Sequence, residues 1–396
     1  MGTQDEKSVL TVNAGSSSIK VRLYDLGSLK PRLQIKATNI GQPKPMIFFD
    51  NGPKQNITAE THAQAFQEIL KILHQRLDPQ DLVAIGHRLV HGGPDFTEPA
   101  IISTSLISSL KKLATYDPEH TPNALQIIES SLAGYPNAAQ IACFDTAFFK
   151  DLPSVAKLLP IPRKYADLGL RRYGFHGLSY SFILEEFGRQ AGDAAAHGRV
   201  IVAHLGSGSS LSAIHNGKPV DTTMSFTTAS GIPMSTRSGD IDPGIFDFLQ
   251  REAGQSIHDT TRMLHFESGM LGLSGSSSDM EQLIQGAGHN QDSNDAVMLF
   301  CYYVKKAIGS LSAALGGVDS LIFTGGIGEN APLIRQAVCT NLDHLGIKLN
   351  EDLNKAGDFL ISSNDSRVGV HVIKTDEEQI IARQTKGLIS GQRGAV

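Results

Sequence analysis

Short apolar runs with a period of two open the chain. SVLTVN, IKVRLYDL and RLQIKATNI read as strands. At 61–77 the period lengthens, and Phe66, Ile69, Leu70, Leu73 and Leu77 predict a helix. DLVAIGHRLV reads as a buried strand running into a loop, and AAQIACFDT as another that ends at Asp145. The Pro-rich passage 153–163 marks a domain boundary. Strands restart at 199–205 and 209–215, and mostly helical segments follow, the longest about 294–315. DSLIFTGG is a strand, and NAPLIRQAVCTNL a helix with Asn330 as N-cap and Pro332 in its first turn. A strand, GVHVIKT, and a helix, DEEQIIARQTK, close the pattern. The expected domains are 1–150 with a C-terminal helix of about 378–396, and 151–377.

The phrase VNAGSSSIKVRLYDLG at 12–27 returns as VAHLGSGSSLSAIHNG at 202–217. Gly15 falls on Gly206, a separation of 206 − 15 = 191 residues. Each copy runs strand, Gly/Ser turn, strand, then a turn at Gly27 or Gly217. The echo suggests a duplicated domain with a cleft between the copies; a chance match of two Gly/Ser turns stays open. Such turns expose backbone N–H groups and hydroxyls that cradle phosphate oxygens. Neither a Walker A loop nor a complete dinucleotide fingerprint occurs. A third Gly-rich element, TGGIGENAP at 324–332, joins a strand to a helix, where an anion is favoured. Three such loops in this order form a nucleotide-cleft pattern like that of actin, sugar kinases and chaperone ATPases.

The 396 residues exceed one ordinary core, and 40% hydrophobic with 19% charged residues allow a large folded interior. A net charge of -5 gives no basic footprint for nucleic acid. Three scattered cysteines, Cys143, Cys301 and Cys339, suit a reducing compartment. The polar start MGTQDEKS is unlike a signal peptide, and no apolar run is long enough to span a bilayer. These features lead to the expectation of a soluble cytoplasmic protein. In so acidic a chain, an anion site must be built locally. His87, Arg88 and His91 in GHRLVHGG, His120 in YDPEHTPN, Arg171, Arg172 and His176 in RRYGFHG, and Arg237 in STRSGDIDPG all lie beside Gly or Pro in loops. Functional residues collect in such places. Asp240 and Asp242 could be a metal pair but read better as turn and cap residues.

The phrases VNAGSSSIK, GHRLVHGG, FDTAF, RRYGFHG, HLGSGSS, TRSGDIDPG, SSSDM, TGGIGEN and TDEEQIIAR occur in one order along the chain. In this the chain resembles the acetate/butyrate kinase (acetokinase) family over essentially its whole length. The resemblance implies an α/β protein of two duplicated domains of the actin/sugar-kinase ATPase superfamily (ribonuclease H-like), with an interdomain nucleotide cleft. It further implies a homodimer, Mg²⁺ (with Mn²⁺ as a substitute), ATP/ADP, and transfer of the γ-phosphoryl group to acetate, giving acetyl phosphate. Propionate or another short-chain acid is the alternative acceptor.

Carried over by position, Asn13 and Glu377 match the metal-associated residues, and Lys20 a nucleotide contact. Arg88 matches the arginine that holds the carboxylate, and Val90 and Phe175 the acyl-pocket walls. Asp145 matches the catalytic acid, His176 and Arg237 the transition-state stabilisers, and His120 a further active-site histidine. The phosphate loop is His204, Leu205, Gly206, Ser207 and Gly208. The nucleoside loop is Gly326, Ile327, Gly328, Glu329 and Asn330, with Asp279 near the ribose or adenine. A carboxylate nucleophile is already ionised near neutrality, so Asp145 is better suited to positioning Mg²⁺, its waters or a cation than to removing a proton.

Four positions depart from the family pattern. Ser207 stands for Asn, Glu281 for Arg, Glu119 for an apolar residue and Thr228 for Pro. Glu119 and Thr228 are expected at the border of the acyl pocket, where polarity disfavours a long alkyl chain. Glu281 puts the nucleotide preference in question. An acyl kinase accounts for the paired clefts, the Arg/His set and the acidic residue. An actin-like or chaperone-like ATPase needs the loops but not Arg88, His176 and Arg237 together, and a binding-only paralogue is the third reading.

Overall fold

In the computed structural model, which describes residues 7–50 and 52–391, the chain forms two units. The start read as unlike a signal peptide, residues 1–6, and the end of the expected C-terminal helix, residues 392–396, lie outside the described residues. One unit takes the chain up to Lys150, Gly177–Phe182 and the chain from Asp376. The other takes Asp151–His176 and Ile183–Thr375.

In the first unit, β1 (Ser8–Ala14), β2 (Ser18–Asp25) and β3 (Pro31–Thr38) form an antiparallel meander. At its edge lie β4 (Met46–Phe49) and β5 (Gln55–Asn56). On the other side of β1, β6 (Leu82–Leu89) runs parallel to it, with short β7 (Ala100–Ile101) at the far edge beyond β8 (Ala139–Phe144). β8 is parallel to β6. The second unit repeats the plan. β9 (Arg199–Leu205), β10 (Ser209–His215) and β11 (Lys218–Thr222) form the meander, and β12 (Ser320–Thr324) and β13 (Gly369–Val372) continue it in parallel. Both sheets thus place their third, second, first, fourth and fifth main strands side by side. The echoed turns also coincide: Leu205 and Ser209 lie 205 − 14 and 209 − 18, both 191, residues after Ala14 and Ser18.

Packing explains the patterns. β9 is covered on both faces and reads as a continuous apolar run, whereas β2 alternates, with Ile19 and Val21 in the core and Lys20 and Arg22 on the opposite face. Ile19, Val21 and Ile35 pack with Phe66, Ile69 and Leu73 of the predicted helix, observed at His62–Arg76 with Thr61 and Gln64 as a capping box. On the other face the helix Glu377–Ile389 sets Ile380 and Ile381 against Ile141 and Cys143. Gly86 permits this approach. A Cβ there would lie 2.1 Å from Thr385 Oγ1 and 2.6 Å from Ile381 Cγ2. That contact carries the helix's first residues, Glu377 and Glu378, to the end of β1, where Asn13 meets them.

Two boundaries differ from expectation. The long helix starts at Gln291, capped by the Asn290 side chain. NAPLIRQAVCTNL is not one helix capped by Asn330. Gly325–Asn330 and Pro332–Cys339 are separate helices, and the Asn330 Nδ2 donates back to the Gly326 carbonyl at 2.9 Å. Pro332 has no N–H, so the hydrogen-bond ladder ends before it and restarts with Pro in the first turn. Among the described residues, no helix is long and apolar enough to cross a membrane.

Candidate active site

In the first unit, five side chains from three strand ends and one helix start interlock. Arg88, at the end of β6, donates through Nε (3.0 Å) and Nη2 (2.6 Å) to Asp145 Oδ2, just beyond β8. Its Nη1 donates to Asn13 Oδ1 at 3.0 Å and lies 3.5 Å from Glu377 Oε2. Asn13 Nδ2 donates to Glu377 Oε2 and Glu378 Oε1, each at 2.9 Å. Glu378, which no motif assignment singled out, is buried and lies 3.9 Å from both Lys20 Nζ and Arg22 Nη2. Three of Arg88's five N–H groups are engaged, which leaves one on each terminal nitrogen.

The electrostatics are one-sided. Burial and the neighbouring Glu377 push the Asp145 carboxyl up, against the pull of Arg88. Arg88 is buried too, yet Asp145 and Glu377 hold its proton more tightly than usual. Asp145 Oδ1 is buried and makes no hydrogen bond of normal geometry, although the backbone N–H of Leu178 helps to hold the carboxyl ionised. A buried carboxylate oxygen left empty beside two more carboxylates is a favourable place for a hard cation. No group of three or more His, Cys, Asp or Glu among the described residues forms a complete cage. Mg²⁺ does not need one, since it keeps waters and binds one or two carboxylates together with substrate phosphates.

Beside this cluster lies a pocket lined by Ala14, Gly15, Arg88, Val90, His120, Thr121, Asn123 and Ala124. His120 is fixed by its Nδ1, 2.8 Å from Asp117 Oδ1. Burial favours the neutral form of Asp117, but His120, Thr121 and His91 outweigh it and hold the carboxyl below its ordinary value. His62 Nε2 donates to the Gly15 carbonyl at 2.8 Å and pins the first Gly/Ser turn. Glu119 does not line the pocket; its carbonyl accepts from Asn123 Nδ2 at 3.2 Å. The pocket's polarity comes instead from Arg88, His120, Thr121 and Asn123.

In the second unit, His176 sits at φ 61°, a left-handed conformation unusual for a residue with a Cβ. Its Nδ1 lies 2.8 Å from Ser210 Oγ, and its ring stacks on His204 with centroids 4.3 Å apart. Arg237 Nη1 donates to the Thr228 carbonyl at 3.2 Å. A Cβ on Gly208 would lie 3.4 Å from both Arg237 Nη1 and His176 Nε2. The two nitrogens therefore converge on the Gly206–Gly208 turn. This turn is held by Ser235 N–H donating to the Ser207 carbonyl and by Ser209 Oγ donating to the Gly206 carbonyl. The 324–330 element adjoins it, since a Cβ on Gly206 would come within 3.9 Å of Gly326 N.

The Acetokinase family profile matches residues 8–383. The chain belongs to the acetokinase family. It is similar to the acetate kinase of Methylocella silvestris, 38% identical with 98% of this chain and 99% of that one covered. The acetate kinase of Coprothermobacter proteolyticus is 39% identical, with coverage of 97% and 99%. Among solved structures, a propionate kinase from Francisella tularensis matches with TM-score 0.90 at 32% identity, covering 96% of this chain and 99% of that one. Porphyromonas gingivalis acetate kinase matches with TM-score 0.86 at 34% identity, covering 97% and 100%. The activity is that of the acetokinase family, phosphoryl transfer between ATP and acetate.

Other motif residues take supporting places. Asp279 caps the helix Met280–Gly286, accepting from Gln282 N–H at 3.0 Å, and Glu281 is exposed in its first turn. Glu329 Oε1 accepts from the Gly325 and Thr375 N–H groups, each at 3.0 Å, and shapes the loop from within. Gly326 and Asn330 are exposed, Gly328 is buried, Ile327 is half-buried, and Leu205 is a core residue at the end of β9. Val90 lines the pocket of the first unit, whereas Phe175 is fully buried and belongs to the second. His87 Nε2 donates to Gln140 Oε1 at 2.7 Å, and burial pushes its pKa down to about 4. Asp240 and Asp242 accept from the Gly231 and Gly244 N–H groups, as turn residues do. Arg172 binds Asp221 and the Ala156 and Thr222 carbonyls, and Arg171 stacks over Tyr173.

Proposed function

We propose that the chain carries out the reversible, Mg²⁺-dependent transfer of the ATP γ-phosphoryl group to acetate through the two residue sets described above. The observation that carries this reading is Arg88, anchored on Asp145 and Asn13, with one N–H of each terminal nitrogen remaining beside a small pocket. Those two N–H groups match the two oxygens of a carboxylate. An acetate oxygen then forms the new bond to the γ-phosphorus as the bond to the bridging oxygen breaks, and ADP departs with that electron pair. No proton moves, so no general base is needed. Positioning and positive charge are what the reaction requires.

His176 and Arg237 supply that charge. With the Ser210 hydroxyl donating to Nδ1, the His176 proton sits on Nε2, aimed where Arg237 Nη1 also converges. Both then donate to equatorial oxygens of the transferring group. Asp145 and Glu377, with Asn13 Oδ1, are the residues suited to hold Mg²⁺ and its waters. When bound, the ion offsets charge on the β- and γ-phosphate oxygens. Lys20 and the loops 204–208 and 326–330 are assigned to the nucleotide.

The pocket offers only Ala14, Val90 and Ala124 as apolar side chains, and Arg88, His120, Thr121 and Asn123 make the rest of its wall polar. A buried CH₂ gains about 0.8 kcal/mol only against an apolar wall. Acetate is therefore the preferred acceptor, propionate a weaker one and butyrate poor. Trapping the acyl phosphate with hydroxylamine should give a kcat/KM for butyrate at least about tenfold below acetate; equal values would overturn the assignment of this pocket.

We also assign a homodimer and a cytoplasmic location. The helix Gly244–Ala253 buries none of its residues within the chain although it carries Ile245 and Phe248, 37% and 58% exposed. Light scattering at twice the chain mass is expected, and a single-chain mass would reject the dimer. All three cysteines are buried and unpaired, as suits a reducing compartment; cell fractionation tests that location.

A further inference from the structure

The strand registers line up four side chains across the first sheet. Asn13 pairs with Lys20, Lys20 with Lys36, and Lys36 with Phe48. Ile19, Val21, Ile35 and Ala37 point into the core, so this row occupies the opposite face, the one that carries Glu378 and Arg22. Lys54 joins from the loop after β4. The Lys36 and Lys54 ammonium groups each lie 5.9 Å from the centre of the Phe48 ring. Lysines directly opposite one another in a sheet repel. The repulsion is felt here: burial, then Lys20 and Lys54, loosen the Lys36 proton, with Glu378 pulling the other way. Local carboxylates are already committed. Glu378 holds Asn13 and lies near Lys20 and Arg22, and Asp376 pairs with Arg22 at 2.6 Å. Among the described residues, neither Lys36 nor Lys54 has a carboxylate within the 4.0 Å of an ion pair.

We propose that Lys36 and Lys54, beside Phe48, together with Lys20 on the neighbouring strand, form an anion subsite that takes a phosphate-bearing ligand and extends the nucleotide contact assigned to Lys20 to two lysines that have no assignment. An anion between these ammonium groups converts their mutual repulsion into attraction. The ligand chemistry is a phosphate dianion or polyphosphate, offered by the tail of the nucleotide or by free acyl phosphate or pyrophosphate. Only the link to catalysis rests on the proposed role of Lys20; the cluster itself stands on the registers.

The test uses the full chain and inorganic pyrophosphate, followed by titration calorimetry at fixed ionic strength. Lys36→Met should weaken the pyrophosphate Kd by about fivefold or more, the scale of one partly solvated charge contact, and Lys36→Arg should restore most of it. Lys36→Met should also keep or raise the Tm of the ligand-free protein. Lys54 is exposed, so Lys54→Met gives a second, folded variant expected to weaken binding in the same direction. An unchanged Kd in both methionine variants overturns the subsite. Displacement of pyrophosphate by MgATP but not by acetyl phosphate assigns it to the nucleotide tail, and the reverse to the acyl phosphate. A wild-type chain that binds pyrophosphate through these lysines yet makes no acetyl phosphate refutes the proposed function and leaves the subsite standing.

Discussion

Arg237→Ala is expected to lower kcat by about 10²- to 10³-fold, the range for loss of one preorganised donor to developing charge. Both KM values should stay nearly unchanged, because an interaction made mainly in the transition state lowers kcat and kcat/KM together. The structure gives the reason for placing Arg237 in this class. Its Nη1 is anchored on the Thr228 carbonyl and points at the Gly206–Gly208 turn, where His176 Nε2 converges. Arg237→Lys should recover only part of the rate, since an ammonium cannot reproduce the planar fork. His176→Ala should cost less, and the double variant should be less than additive if both act on one set of oxygens. Steady-state kinetics in both directions decides this. An intact kcat with a lowered Tm would make Arg237 a structural residue of its turn.

Arg88→Ala should raise the acetate KM by about 10²-fold and leave the ATP KM within a few-fold, on the scale of charged hydrogen bonds at about 1.5–3 kcal/mol. It should also destabilise the fold by about 3 kcal/mol at neutral pH. Removing the guanidinium strands the fully buried Asp145 beside Glu377 and Glu378, and breaking a buried pair leaves an uncompensated charge. Arg88→Lys keeps a charge near Asp145 and should restore most of the stability but little of the acetate affinity. Urea unfolding and acetate titration, run on both variants, separate the two roles. An unchanged acetate KM in a folded Arg88→Ala protein would remove the substrate assignment and leave only the structural one.

Much of the fold was legible because its signals are local. The strands 199–205 and 209–215 follow their apolar runs to the residue, and the repeated Gly/Ser turn correctly indicates a doubled plan. The helix break at Ala331 was misread because NAP offers both a good cap and a Pro in the first turn. The preceding glycines, poor helix formers, had already formed a turn of helix under the hold of Glu329. At the candidate site, the sequence picks out residues to examine but not how they bind one another. Arg88 reads as an open fork, yet most of its donors go to Asp145 and Asn13, from segments dozens of residues away. Glu378 lies in the phrase TDEEQIIAR but received no role there, and His62 lies in no quoted phrase. Glu378 gains its place only because Gly86 lets a helix settle on the sheet, and His62 because a capping box starts its helix beside Gly15. Glu119 and Thr228 were expected at the border of the acyl pocket, but Glu119 does not line the pocket of the first unit, and the contacts seen use the carbonyls of both, which any residue supplies.

The central claim is that these residues direct the γ-phosphoryl group to a carboxylate rather than to water. Phosphorus NMR of the purified chain with MgATP and acetate measures that partition directly. The account predicts an acyl phosphate resonance growing in step with ADP, with little inorganic phosphate and no turnover when acetate is left out. ADP and inorganic phosphate appearing together at a rate indifferent to acetate, with no acyl phosphate, would contradict it.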